Sequence, residues 1–213
     1  MIANDFFYNE LTCEVTNKII KLMETGEKCS NGYVQWPYSI PILEDNRFVN
    51  WSFKVARSAT LDKPDIWASA GIDENFEPSI EVVILISKGS HQKKADISYA
   101  ELFGVVAHEF HHIAQNIETT GQYFDQNTYK KNKMNYYLNP IEIEAFNLGF
   151  KAESSVSGEN IESIMRRYLS LQELEANQID LIVDQWLKTD YPVLRKNLET
   201  QWNENETNRN HSK

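Results

Sequence analysis

The chain has 213 residues and a net charge of −10, and 41% of its residues are hydrophobic, which suits one folded domain. The acidic charge argues against general nucleic-acid binding, because contacts with phosphates need clustered Lys and Arg. No stretch approaches the roughly 20 apolar residues of a membrane span, and residues 1–5 lack the features of a signal peptide. Cys13 and Cys29 make no disulfide framework. We therefore expect a cytoplasmic protein with no membrane partner.

The N-terminal part of the sequence predicts one helix followed by a small sheet. Apolar residues recur at helical spacing over residues 1–26 and indicate an amphipathic helix. Residues 27–46 contain turn formers and are expected to form an irregular connection. A sheet is predicted over residues 47–87, with strands at 48–56, 65–72 and 79–87. The last of these has a continuous apolar run and should be central, which leaves the strand before it as the candidate edge strand.

A helix predicted over residues 97–118 carries a His-Glu-x-x-His motif. At about 100° per residue, His108, Glu109 and His112 lie on one side of this helix, whereas His111 lies on another. Two imidazoles four residues apart can reach a single metal ion, and the glutamate beside the first of them lies near the metal's open position. The motif therefore predicts a metal site with His108 and His112 as ligands and Glu109 as a base.

A second helix, predicted over residues 139–155, supplies the candidate third ligand. Asn139 followed by Pro140 is a strong helix start, with Asn as the N-cap and Pro at the first helical position. Glu142 and Glu144 are about 200° apart on this helix, so only one of them can face the metal. Taken alone, Glu142 could be a capping-box residue. Beside the first motif we assign it as the ligand, with Glu144 as the reserve.

The remaining sequence predicts a helical C-terminal part. Residues 160–188 are expected to form one or two long helices, and residues 203–213 have almost no apolar content and are expected to be disordered. The whole pattern predicts one α+β domain over residues 1–190. Its small sheet, three- to four-stranded and mostly antiparallel, should pack on the helix that carries the His-Glu-x-x-His motif.

The His-Glu-x-x-His motif and a downstream Pro-x-Glu-x-Glu-Ala motif together resemble the gluzincin-type zinc metallopeptidases, in particular their small bacterial and phage forms. The resemblance covers roughly residues 80–155. It implies a minimal zincin-like fold and a Zn²⁺ ion held by His108, His112 and Glu142. It also implies that Glu109 is the general base.

The chain departs from this family in the support of its zinc ligands. Many members place Asp or Asn four residues after the ligand glutamate, where it holds a zinc-bound histidine. Phe146 occupies that position here, and Asn147 follows it. The sequence leaves open which residue supports the histidines.

The resemblance implies zinc-dependent hydrolysis of a peptide bond in a protein or peptide substrate. Zinc at such a site lowers the pKa of a water molecule towards 7. Glu109 would accept the proton of that water and return it to the leaving nitrogen. The oxyanion needs a further donor, which we expect from a tyrosine between the two motifs. Tyr137 is the first choice, and Tyr136 and Tyr123 stay open.

Two other interpretations stay open. The chain could be a catalytically silent binding or regulatory protein that keeps the fold, as in phage anti-defence proteins, although the intact Glu109 argues against this. It could also be a helical interaction protein with a chance motif. If the metal required neither Glu142 nor Glu144, Glu118 or Asp125 would be the next candidates for the third ligand.

Overall fold

The computed structural model describes residues 3–35, 48–59, 63–72, 78–88, 91–92, 96–118 and 133–189. Within these ranges the chain is an α+β protein with six helices and a four-stranded sheet, which confirms the predicted fold class. The helices are α1 (Ala3–Thr25), α2 (Tyr99–Glu118), α3 (Lys133–Tyr137), α4 (Pro140–Ser157), α5 (Ile161–Ser170) and α6 (Ala176–Lys188). The strands are β1 (Cys29–Gln35), β2 (Phe48–Ser58), β3 (Asp65–Ile72) and β4 (Pro78–Ser87).

Three of the sequence predictions lie outside the described residues. They are the disordered tail at 203–213, the alternative oxyanion donor Tyr123 and the reserve ligand Asp125. The side chain of Glu118 is not described either. Among the helices that are described, none is long and apolar enough to cross a membrane.

The sheet is mixed, with the strand order β1-β2-β4-β3. β1 and β2 are antiparallel, as are β3 and β4, whereas β2 and β4 are parallel. The apolar run of β4 therefore lies in the interior of the sheet and β3 lies at an edge, as predicted. Alternate side chains of β4 are fully buried against α1 and α2, as the two-residue period of a strand requires: Ile80, Val82, Ile84 and Ile86.

The prediction of an irregular connection over 27–46 was wrong for Cys29–Gln35, which form the edge strand β1, and its part over 36–46 lies outside the described residues. Val34 is the one fully buried side chain in this strand, so its sequence lacks the apolar alternation of a half-buried strand. Gly32 packs directly on the indole ring of Trp51 in β2, where a Cβ atom would come within 2.5 Å. The glycine therefore permits close packing within the sheet instead of marking a turn.

Two large hydrophobic cores lie on either side of the contact between α2 and α4, where Phe103, Ala107 and Ala152 form a third, small cluster. The sheet core joins α1, the four strands and α2, and its largest fully buried side chains are Ile19, Phe53, Ile80, Ile84, Ile86, Leu102, Phe110 and Ile113. The helical core joins α3 to α6, and its buried side chains are Tyr137, Ile143, Phe146, Phe150, Ile164, Met165, Leu169, Ile182, Val183 and Trp186. α2 belongs to the first core and α4 to the second, so side chains from both cores can meet where these helices cross.

Two glycines set the distance between α2 and α4. A Cβ atom at Gly149 would lie 2.8 Å from the carbonyl oxygen of Gly104, and one at Gly104 would lie 2.9 Å from the carbonyl oxygen of Gly149. Ala145, one turn before Gly149, is fully buried in the same contact. The small residues let the two helix backbones approach closely, and this brings the first turn of α4 beside the motif on α2.

The ends of α4 follow local sequence signals. Asn139 caps the helix, and its side-chain oxygen accepts a hydrogen bond from the backbone N–H of Ile141. The helix continues to Ser157, two residues beyond the predicted end at 155, and stops at Gly158 with a φ of 72°. This left-handed conformation is favourable for glycine and terminates the helix.

Candidate metal centre

The phase of α2 places two imidazoles where α2 packs against α4. His108 and His112 lie one helical turn apart, and their Nε2 atoms are 3.0 Å from each other. Glu142, in the first turn of α4, approaches them with its Oε2, which is 3.4 Å from Nε2 of His112 and 3.7 Å from Nε2 of His108. The structure thus brings together the three residues that the sequence suggested as ligands, within 4.8 Å of one another.

The spacing and chemistry of these three atoms fit a metal ion. A tetrahedral site with metal–ligand distances of 2.0–2.1 Å holds its ligand atoms roughly 3.4 Å apart, close to the separations observed here. The Oε2 atom of Glu142 is buried and makes no hydrogen bond. A buried carboxylate oxygen without a partner is unfavourable, and a bound cation would satisfy it. The group formed by His108, His112 and Glu142, called the triad below, can therefore hold a metal ion.

His111 and Glu144 lie beside the triad but are not part of it. The Nε2 atom of His111 is 3.8 Å from Oε2 of Glu144. Glu144 also accepts a hydrogen bond of 3.3 Å from the side-chain amide of Gln115 on α2. The structure thus favours the assignment of Glu142, with Glu144 facing polar groups of α2.

Glu109 is buried between α2 and β3. Its Oε1 is 4.0 Å from Nε2 of His108, and its carboxylate accepts a hydrogen bond from the backbone of Ala70 in β3. Burial raises the pKa of Glu109 to about 7; the charge of His112 lowers this pKa, and that of Glu142 raises it. A carboxylate with a pKa near neutrality can accept a proton and later give it up.

The two imidazoles of the triad have different protonation preferences. Burial lowers the pKa of His108 well below its usual value, and the positive charges of His112 and His111 lower it further. Burial acts in the same direction on His112, but the carboxylate of Glu142, 3.4 Å from Nε2 of His112, outweighs it and raises the pKa of His112. The surroundings of His108 therefore favour its neutral ring, whereas those of His112 favour its protonated ring. Metal binding requires both rings to be neutral.

The structure reveals what supports the histidines, which the sequence left open. The Nδ1 atom of His112 is 2.8 Å from Oε1 of the buried Gln115, three residues later on α2. His108 hydrogen-bonds to the backbone of Ala145 in α4. Phe146 lies four residues after Glu142, and the centroid of its ring is 4.6 Å from that of the His108 ring. Asn147 donates its hydrogen bond to the carbonyl oxygen of Trp186 in α6 and thus supports the helical core.

The spacing of Gln115 was a signal available in the sequence. Residues three apart on a helix are neighbours on its surface, so a glutamine three residues after His112 can reach the imidazole. The hydrogen bond between His108 and the backbone of Ala145 had no such signal. Every residue has a backbone carbonyl group, so the residue type does not reveal the contact.

The two tyrosines of α3 occupy different environments. Tyr137, the first choice as oxyanion donor, is buried in the helical core and hydrogen-bonds through its side chain to Tyr168. Tyr136 is half-buried, and its hydroxyl hydrogen-bonds to Glu142. Burial raises the pKa of Tyr136, and the charge of Glu142 raises it further, so its hydroxyl stays a proton donor. The structure therefore favours Tyr136 over Tyr137 as the tyrosine nearest to the triad.

Comparisons of the chain with models of protein families, with curated proteins and with solved structures give no significant match. The resemblance to gluzincins therefore rests on the two motifs and on the triad that they form.

Proposed function

We propose that this chain is a zinc-dependent metallopeptidase that binds zinc through His108, His112 and Glu142. The observation that carries the proposal is the convergence of two imidazole nitrogens and one carboxylate oxygen next to the buried carboxylate of Glu109. Nitrogen and oxygen ligands at this spacing suit zinc, and a site with three protein ligands leaves a fourth position for water or substrate.

The reaction would be the hydrolysis of a peptide bond. A bound zinc ion would supply a Lewis acid that lowers the pKa of water and polarises the substrate carbonyl. Glu109 takes a proton from the attacking water, whose oxygen forms a bond to the carbonyl carbon. Glu109 then gives this proton to the leaving nitrogen as the carbon–nitrogen bond breaks. The products are a carboxylate and an amine.

Tyr136 is the side chain best suited to stabilise the oxyanion. Its hydroxyl lies beside Glu142, and its raised pKa keeps the hydroxyl protonated. A hydrogen-bond donor aimed at the developing negative charge contributes most in a site that is largely shielded from water.

The position of β3 favours an extended peptide as substrate. β3 is an edge strand of the described sheet and packs against α2. The hydrogen bond between Ala70 and Glu109 brings this edge beside the proposed base. An unfolded segment of a protein could pair with the edge through backbone hydrogen bonds and lie across the site.

Glu109→Gln tests the proposal, because it removes the proposed base. It keeps the size of the side chain and leaves all three proposed ligands in place. We expect one zinc ion per chain and an intact fold, but hydrolysis reduced by about 10²–10⁴-fold or more. The measurement is mass spectrometry of cleavage products from a mixed peptide library, with metal analysis of the same samples. Glu81→Gln, at an exposed position on β4, is the matched control and should keep full activity.

The outcome also separates an enzyme from a binding protein. If a biological effect of the chain survives Glu109→Gln undiminished, the site serves a catalytically silent binding or regulatory protein. If wild-type protein with one zinc per chain cleaves no peptide in the library, the peptidase proposal is contradicted.

A further inference from the structure

We propose that Gln115 is a positioning residue that fixes the tautomer of His112 and ties it to the turn of α4 that carries Glu142. The inference rests on the proposed zinc site, but it concerns a contact that exists without the metal. Gln115 is 2% exposed and lies where α2 meets the first turn of α4. Its amide has hydrogen-bond partners on both helices.

The partners of Gln115 fix the orientation of its amide group. Its Nε2 donates hydrogen bonds of 3.0 Å to the carbonyl oxygen of Ile141 and 3.3 Å to Oε2 of Glu144. A carbonyl oxygen and a carboxylate can only accept, so the amide nitrogen must face them. The amide oxygen therefore faces Nδ1 of His112, at 2.8 Å.

This orientation determines which ring nitrogen of His112 carries the proton. An amide oxygen can only accept a hydrogen bond, so Nδ1 of His112 must donate and must be protonated. The lone pair of the neutral ring is then on Nε2, which lies 3.4 Å from Oε2 of Glu142. A metal-binding histidine needs this arrangement, in which one nitrogen is free to bind and the other is held by a hydrogen bond.

The same amide also contacts residues on either side of the third ligand, Glu142, in the first turn of α4. Ile141 accepts a hydrogen bond from Gln115 through its backbone carbonyl, and Glu144 accepts one through its side-chain carboxylate. A shift of this turn relative to α2 would break these bonds and turn the amide away from His112. Gln115 thus couples a ligand on α2 to the ligand on α4.

Two substitutions of Gln115 test the inference. Gln115→Leu removes the hydrogen bonds and keeps a similar size. Gln115→Glu keeps an acceptor for His112 but cannot donate to Ile141 and sets a carboxylate against Glu144. We expect each variant to bind zinc about 10–100-fold more weakly. Gln185→Leu, at an exposed position on α6, is the control and should bind zinc like the wild type.

A double variant distinguishes positioning from a general loss of packing. In Gln115→Glu/Glu144→Gln the donor and acceptor are exchanged, so the side chains at 115 and 144 can pair again while His112 keeps its acceptor. We expect the double variant to bind zinc more tightly than Gln115→Glu alone. A double variant that folds but binds zinc no more tightly than the single variant would overturn the inference.

The tautomer is read directly in the metal-free protein by ¹⁵N NMR of the His112 ring at alkaline pH, where the ring is neutral. We expect the proton on Nδ1 in the wild type and a shift towards Nε2 in Gln115→Leu. An unchanged tautomer and unchanged zinc affinity in Gln115→Leu would overturn the inference. These readouts do not use hydrolysis, so a protein that cleaves no peptide contradicts the proposed function and leaves this test intact.

Discussion

The sheet core and the helical core are built from different side chains. Most of the large side chains in the sheet core are aliphatic, and they come from alternate positions of the strands and from one side of α2. The helical core is packed with aromatic rings, among them Phe146 and Trp186 with centroids 4.9 Å apart, and Phe150 and Trp186 at 5.4 Å. Each core forms without any residue of the triad. The triad takes two members from the helix of one core and one from the helix of the other.

This division indicates that the geometry of the triad depends on how the two cores are held together. Three features join α2 to α4: the close approach of Gly104 and Gly149, the hydrogen bonds of Gln115, and the triad itself. A metal ion that binds only the folded chain would stabilise it by mass action and would hold the two cores together. Substitutions on α2, on α4 and at the contact between them separate the contributions of these three parts.

The largest effect is expected from the ligands on α2. His108→Ala and His112→Ala should each abolish binding of one zinc per chain, whereas His111→Ala should keep it, because His111 is outside the triad. Zinc at about 1,000 times its Kd should stabilise the wild type by about 4 kcal/mol. That stabilisation by zinc should vanish in His108→Ala and in His112→Ala. Metal analysis and thermal denaturation with and without zinc measure both effects. Equal metal loss in all three variants would contradict the assignment of His108 and His112.

On α4, the loss of Glu142 should weaken zinc binding more than the loss of Glu144. Glu142→Ala should sharply reduce zinc affinity and the stabilisation by zinc, whereas Glu144→Ala should leave zinc occupancy nearly intact. In Glu144→Ala the amide of Gln115 would still donate a hydrogen bond to the carbonyl oxygen of Ile141. If Glu142 served only to cap the helix, its removal would cost about 1 kcal/mol of stability and leave the zinc content unchanged. A zinc-free Glu144→Ala beside a zinc-loaded Glu142→Ala would reverse the assignment.

The sequence predicted those parts of the fold whose signals are local. The apolar run of β4, the start of α4 at Asn139 and Pro140, and the helical phase of the His-Glu-x-x-His motif each lie within a few residues of sequence. β1 was missed because an edge strand that buries one apolar side chain has no alternation to detect. Its formation depends on pairing with β2, which follows an intervening stretch of chain.

Within the site, the ligands and the contact of His112 with Gln115 on the same helix have local sequence signals, but the contacts between helices do not. Gln115 reaches Ile141 and Glu144 only because α4 packs on this part of α2. The two partners are 26 and 29 residues after Gln115 in the sequence, so both contacts are tertiary. Tyr136 and Tyr137 are consecutive residues of the five-residue helix α3. The direction of each hydroxyl depends on the rotation of that helix, which the sequence does not indicate.

The smallest effect is expected at the contact between the two helices. Gly149→Ala would place a Cβ atom 2.8 Å from the carbonyl oxygen of Gly104 and 3.2 Å from Cβ of His108. Neither neighbour is the flexible end of a side chain, so α2 and α4 must move apart. Overpacking of this kind typically costs about 1–3 kcal/mol, and the better helix propensity of alanine should offset up to about 1 kcal/mol of it.

The same displacement should weaken zinc binding, because it moves Glu142 away from the two imidazoles. Gly71→Ala is the matched control, since a Cβ atom at Gly71 in β3 would meet no atom within 4 Å. We expect chemical denaturation without zinc to show a loss of stability for Gly149→Ala alone, and zinc titration to show a loss of affinity for the same variant. If Gly149→Ala matched Gly71→Ala in both measurements, the two helices could separate without disturbing the triad. The close approach of Gly104 and Gly149 would then not be what sets the geometry of the site.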